Sequence, residues 1–188
     1  MKSDSFVFVI HKHASTRLHY DLRLQIGRVM PSWAIPKGPS LDSTVKRLAM
    51  QTTDHSLEYR NFEGVIPEGD SGAGGVMIWD EGTYIPEIEV EKSLPAARQG
   101  KREMIEDKEA GQKVMEEGLK KGEIKFLLSG SKLKGSFALV RTRGFGENAW
   151  LLIKHKDEYV KSDYNANDYD FSAATKRSLE QITNADKK

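Results

Sequence analysis

The chain reads as a mainly β protein: a small closed antiparallel β-barrel of about eight strands with one or two flanking helices. Three features point there. Short runs rich in β-branched and aromatic residues recur along the chain, punctuated by Gly- and Pro-containing stretches. Residues 19–25 alternate strictly, with His19, Asp21, Arg23 and Gln25 on one face and Tyr20, Leu22 and Leu24 on the other. One long stretch, about 102–121, is rich in Glu, Lys, Met and Ala and breaks the β pattern. A barrel of this size has an interior that can hold one ligand.

The elements follow in order. Phe6 to Ile10 has the composition of a buried strand, and His19 to Gln25 is the alternating one. Gly27-Arg28 turns the chain into a strand containing Ser32 to Ile35, and Pro36 with Lys37 to Ser40 marks a loop. A strand over Lys46 to Thr53 puts Arg47, Ala49, Gln51 and Thr53 on one face, pointing toward His55. The Gly69 to Gly75 run reads as a flexible loop before a hairpin, Val76 to Trp79 and Thr83 to Ile88, with Asp80-Glu81-Gly82 at its tip. A helix is expected over about 102–121, then strands at Ile124 to Leu128, Ser136 to Thr142 and Ala149 to Lys154. The boundaries are a barrel domain over 1–162, including the helical insertion, and a polar C-terminal tail over 163–188 with a loose helix at Ala173 to Ile182.

Composition narrows the class. The 188 residues are 38% hydrophobic and 30% charged, which is globular, and the formal net charge is only +1, so an anion-binding site must be local. There are no cysteines, which removes disulfides, thiolate metal sites and cysteine nucleophiles together. Phe6 to Ile10 is too short for a signal peptide or a membrane span, so a cytoplasmic protein without membrane contact is the expectation.

The chemistry concentrates in HKHASTRLHYDLRLQ, residues 11–25. A strand that buries Leu22 and Leu24 would ordinarily expose His19, Asp21 and Arg23 as a solvated face. Against that, His13 lies close enough for a short turn to bring it beside His19 and Asp21. Two imidazoles and a carboxylate form an N,N,O set suited to Mn²⁺, Fe²⁺ or Zn²⁺. Arg23, one step beyond Asp21, can grip an anionic oxygen near such a metal, and Arg47 and His55 extend the pocket toward a phosphate or carboxylate. His11 is a further ligand, a supporting donor or a barrel-end cap, and His155, between two lysines, reads as a surface residue.

These residues sit within longer blocks: HKHASTRLHYDLRLQ, SWAIPKGPSLD, KRLAMQTTDHSLEY, FEGVIPEGDSGAGGVMIWDEGTY, LKGSFALVRTR and WLLIKHKDEY. In their order they resemble the 3′-phosphoesterase domain of bacterial DNA ligase D and its stand-alone relatives. The resemblance implies a small β-barrel that binds Mn²⁺, with Co²⁺ or Zn²⁺ as substitutes, and trims the 3′ ends of DNA or DNA/RNA primer–templates at breaks. It implies removal of a terminal 3′ ribonucleoside by phosphodiester hydrolysis, then of the 3′-phosphate, leaving a 3′-OH for end joining. Carried over, His13, His19 and Asp21 hold the metal; Arg23, Arg47 and His55 contact the scissile phosphate; Lys37 and Tyr59 support them. Two positions depart from the family: His11 stands where glutamine is expected and Gln25 where glutamate is commoner. With no room for ligase and polymerase modules, the expectation is a chain that acts alone or with a separate ligase and polymerase.

Two other readings stay open at this point. His19-x-Asp21 with a later histidine is also how iron(II) oxygenases build a facial triad, His55 then being the third ligand. A module that binds DNA ends without turnover is the other.

Overall fold

Alternation along the first strands builds the opening hairpin. In the computed structural model, which describes residues 5–91 and 100–185, β1 (Phe6–Ala14) pairs antiparallel with β2 (Leu18–Leu24), in the register Ile10↔Leu22, His11↔Asp21 and His13↔His19. The strand predicted at Phe6 to Ile10 therefore runs on through both histidines. After β3 (Val29–Met30) come β4 (Ser32–Ile35), β5 (Lys46–Gln51), β6 (His55–Ser56), a 3₁₀ turn (Leu57–Asn61) and β7 (Gly64–Ile66). The second half holds β8 (Gly74–Glu91), β9 (Lys101–Met104), α1 (Lys108–Lys121), β10 (Glu123–Gly130), β11 (Lys134–Arg141), β12 (Ala149–Lys154) and α2 (Leu179–Ala185).

Eight of these strands close a circuit in the order β1-β2-β4-β5-β12-β11-β10-β8, and β8 returns to β1; every pairing is antiparallel. β7 and β9 add to β8, and β3 and β6 form a separate two-stranded sheet. The expected small β-barrel with two helices is the observed fold. Among the described residues, however, its interior is packed with side chains rather than open to a ligand. Leu22, Leu24, Trp33, Trp79, Trp150, Phe126 and Phe137 fill it, with Trp33 and Trp150 meeting edge to face at 5.7 Å. Full burial of each such side chain contributes on the order of 1.5–3 kcal/mol, so the barrel is a packed core and any site must lie elsewhere.

Three further expectations are corrected. Asp80-Glu81-Gly82 is not a hairpin tip: both flanking runs pair with β1 as one strand, with a register shift opposite Ile10/His11. Glycine at 82 permits this continuity, because an added Cβ would strike the Ser129 carbonyl oxygen of the neighbouring strand. The fully buried Asp80 carboxylate instead accepts from the backbone N–H groups of Ser131, Lys132 and Leu133, fixing the β10–β11 turn. The helix starts at Lys108 rather than about 102, because residues 101–104 pair with β8 and Asp107 caps the helix by accepting from the Ala110 N–H at 2.8 Å. The segment from Asp163 is not a free polar tail: Tyr164, Ala166 and Ile182 enter the main core, and the Trp79 indole donates to the Tyr169 carbonyl. Its helix is Leu179–Ala185, later than expected.

His155 is likewise not at the surface. It is 9% exposed; its Nδ1–H donates to Ser136 Oγ at 2.7 Å, and that hydroxyl donates to Glu87. Burial pushes its pKa down to about 3, so it stays neutral in the fold. Among the described residues no helix is long and apolar enough to cross a membrane.

Candidate metal centre

Because side chains alternate, the residues opposite the core-facing Ile10, Tyr20 and Leu22 are those paired as His11↔Asp21 and His13↔His19. They point to the outer wall of the barrel yet are not a solvated face. His11, His13, Asp21 and Arg23 are all buried. The cover comes from the 3₁₀ turn at Leu57–Asn61 and from the glycine-rich loop before β8, which is thus a working part of the site and not an idle connection.

His13, His19 and Asp21 place one potential ligand atom each within 4.8 Å of one another. Asp21 Oδ2 lies 3.6 Å from His13 Nδ1 and 3.4 Å from His19 Nε2. The opposite ring nitrogens are held by backbone carbonyls: His13 Nε2 donates to Gly72 at 2.6 Å, and His19 Nδ1 donates to Arg17 at 2.9 Å. A carbonyl only accepts, so each bond puts the ring proton on the outward nitrogen and turns a lone pair toward Asp21. Two lone pairs and a carboxylate facing one another repel unless a cation or a proton lies among them. A divalent metal fits that donor set, and the carbonyl-held rings are the second layer that metal-binding histidines characteristically have. Without a metal the protons compensate. Burial raises the Asp21 pKa, but bonds from His13 and His19 and the charge of Arg23 outweigh it and hold the carboxyl well below its usual range. The bond to Asp21 raises that of His19.

Arg23 organises the adjoining half. Its Nη2 donates to Asp21 at 3.2 Å, Nη1 lies 3.1 Å from His55 Nδ1, and Nε donates to His11 Nδ1 at 3.2 Å. Tyr59 covers the guanidinium at 5.0 Å and meets the rings of His55 and His11 at 4.9 and 5.3 Å. Two of the five guanidinium N–H groups are bonded in this way, to Asp21 and His11; His55 Nδ1 itself donates to the Thr53 carbonyl at 3.0 Å, so both N–H groups of Nη1 and one of Nη2 are left for an anion. Burial and then the Arg23 charge lower the His55 pKa. Burial, and again Arg23, push His11 down to about 3. Both imidazoles are therefore neutral near pH 7.

The structure thus brings together His13, His19, Asp21, Arg23, His55 and Tyr59. Sequence spacing sent Arg47 and His55 the same way along one straight strand, but β5 ends at Gln51 and His55 belongs to β6. Arg47 pairs with Leu152 on the face that carries Ala49 and Trp150 to the core, and it acts on Asp42. Lys37 is exposed in the turn after β4. No described contact ties either one to the cluster. His11 serves as an acceptor for Arg23 and lies outside the ligand group. Gln25 bonds the backbone at Val7 and Gly27, away from the cluster. The oxygenase arrangement is not formed: His55 lies against Arg23 at 3.1 Å and outside the ligand group, which His13 completes. Two contributors had no signal in side-chain chemistry, the carbonyls of Gly72 and Arg17, and only the glycine run hinted at the first.

A family model described as the DNA Ligase D 3′-phosphoesterase domain matches residues 11–141. The chain belongs to this family. The DNA ligase D 3′-phosphoesterase match includes every residue of the cluster and ends with β11. A multifunctional non-homologous end joining protein LigD of Pseudomonas aeruginosa is 41% identical over 156 residues, covering 82% of this chain. The corresponding LigD proteins of Mycobacterium tuberculosis and Mycolicibacterium smegmatis are 37% and 38% identical over 84% and 80% of it. The chain spans only 16–17% of the length of these relatives.

Proposed function

We propose that this chain is a divalent-metal-dependent phosphoesterase that processes nucleic-acid 3′ ends. It removes a terminal 3′ ribonucleoside as a phosphodiesterase and then the 3′-phosphate as a monoesterase. The 3′-OH left on DNA or DNA/RNA primer–templates at breaks is one that a separate polymerase can extend and a separate ligase can seal, in end joining. The observation that carries this reading is the convergence of the His13 Nδ1 and His19 Nε2 lone pairs on Asp21, beside an arginine with N–H groups to spare. Family membership supplies the substrate class.

His13, His19 and Asp21 would hold Mn²⁺, or Co²⁺ or Zn²⁺ in its place. The metal would contribute Lewis acidity at a phosphate oxygen and acidify a water. The rest falls to the chain. Arg23 offers its remaining Nη N–H groups to nonbridging oxygens, where charge builds up. Its bonds to Asp21 and His11 hold that fork in place before substrate arrives. Tyr59 covers the guanidinium and keeps water from that side. His55, neutral at pH 7, is available for proton exchange at the leaving 3′ oxygen, through the nitrogen not facing Arg23. Arg47 as a phosphate contact and Lys37 as a supporting residue are carried over from the family resemblance.

The test is a gel assay on a primer–template ending in a single ribonucleotide, run with Mn²⁺, with EDTA and with His19→Ala. Mn²⁺-dependent shortening through a 3′-phosphate to a 3′-OH, lost in both controls, is the expected result. Tight end binding with no product from folded, metal-loaded protein would replace the enzyme by a binding module.

A further inference from the structure

The β11–β12 loop, Thr142 to Asn148, has no part in the cluster, yet it carries Phe145, which at 64% is the most exposed large hydrophobic side chain among the described residues. Glycines flank Phe145 on both sides, and Gly146 has a φ of +106°, so the loop holds the ring out rather than folding it back. The segment 141–147 carries Arg141 and Arg143 against one acid, Glu147. Arg141 is anchored, packing on the Trp150 ring at 4.9 Å and donating to the Leu119 carbonyl at 3.1 Å.

The barrel register fixes where this loop stands. The Gln51 N–H donates to the Asn148 carbonyl at 2.8 Å, and the next N–H, of Thr52, donates to Ser32, which is paired with Arg23. The loop and the segment that leads to His55 therefore leave the same end of the barrel side by side, on the Arg23 side of the cluster. Along the pairing Asp21↔Ala34↔Met50↔Ala149, three strand spacings separate Asp21 from the base of the loop, which is roughly 14 Å. The outward residues between and beside them are Ala34, Met50, Leu48 and Leu151, a half-buried floor without charge.

We propose that this loop is a second nucleic-acid contact: Phe145 stacks on a base and Arg143 pairs with a phosphate of the strand whose 3′ end lies at the metal centre. At about 3.4 Å per base step, ~14 Å is about four nucleotides from the reacting end. A protruding aromatic flanked by arginine suits a strand of any sequence, because every base has a π-face. The inference rests on the cluster being a 3′-end site.

The test compares Phe145→Ala and Arg143→Ala with the parent on ribonucleotide-ended strands of three and of twelve nucleotides. Thermal melts check that the variants are folded. The expected result is a KM higher by about tenfold for each variant on the longer strand, with the difference absent on the three-nucleotide strand. Equal KM values for parent and variants on the longer strand would overturn it, as would equal losses on both strands. If the parent cleaves neither strand, a ribonucleotide-ended primer–template decides the catalytic reading, which fails if that is not cleaved either. Fluorescence anisotropy of the twelve-nucleotide strand then decides the loop, with weaker binding by Phe145→Ala supporting it and unchanged binding refuting it.

Discussion

Arg23 is the residue on which the two halves of the cluster meet, since Asp21 and His11 bond its guanidinium and His55 and Tyr59 lie against it. Lysine at 23 supplies a charge but no planar fork, so Arg23→Lys should lower kcat/KM by about a hundredfold while metal affinity, read by Mn²⁺ titration, changes little. His11 can be tested by what it offers. Glutamine at 11 keeps an acceptor for Arg23 Nε, and His11→Gln should stay within a few-fold of the parent in initial-rate assays. His11→Leu leaves that buried N–H without a partner and should cost at least tenfold. Most of these residues were legible in the sequence, because β alternation puts His19, Asp21 and Arg23 on one face wherever the strand lies. What alternation could not give was the side: the same pattern fits a solvated wall, an interior pocket or, as found, an outer wall roofed by distant loops. His155 was misjudged for a related reason, since its lysine neighbours spoke louder than its partners Ser136 and Glu87.

Among the elements, the glycine-rich loop positions the candidate metal ligands most directly. Gly72 lies with φ at +77°, and a Cβ there would stand 3.3 Å from His13 Cε1. Gly72→Ala should therefore weaken Mn²⁺ binding by about tenfold with a modest loss of stability. At Gly74 the backbone is left-handed at +133° and a Cβ would collide with the Ala14 carbonyl oxygen, which breaks the closure of β8 on β1. Gly74→Ala should cost stability by at least ~2 kcal/mol in urea unfolding, as other strained or clashing backbone sites do. The strand pattern identified most elements, and Ala149 to Lys154 falls on the observed bounds of β12. It failed where long-range pairing decides. Asp80-Glu81-Gly82 has the composition of a turn, but its carboxylate is spent on a different turn and its glycine on a neighbouring strand. The stretch from about 102 looks helical, yet β8 offers residues 101–104 an edge.

At the scale of the whole molecule, the barrel and its C-terminal segment form one core. Removing residues 163–185 strips Tyr164, Ala166 and Ile182 from it and should lower Tm by more than 10 °C or prevent folding, at an expected cost of several kcal/mol. That segment looked like a tail because its apolar residues are few and widely spaced, although Tyr164, Ala166 and Ile182 among them are buried. Buried histidine sets the pH response. His155 stays neutral in the fold down to about pH 3, whereas the unfolded chain takes up the proton near 6.5. Between those values the unfolded state binds more protons, so stability is complete above 6.5 and falls as the pH drops, by up to ~1.4 kcal/mol per unit for each such group. Urea midpoints should therefore be lower at pH 5 than at pH 7, a window in which exposed carboxylates remain ionised. The most direct test of the metal centre is an electron paramagnetic resonance titration of Mn²⁺ into the protein, with hydrolysis of a ribonucleotide-ended primer–template followed on the same samples. One tight Mn²⁺ per chain, saturating together with activity and lost from both readouts in His13→Ala and His19→Ala, is the predicted result. Full activity after rigorous chelation, or tight Mn²⁺ binding that survives His19→Ala, would contradict it.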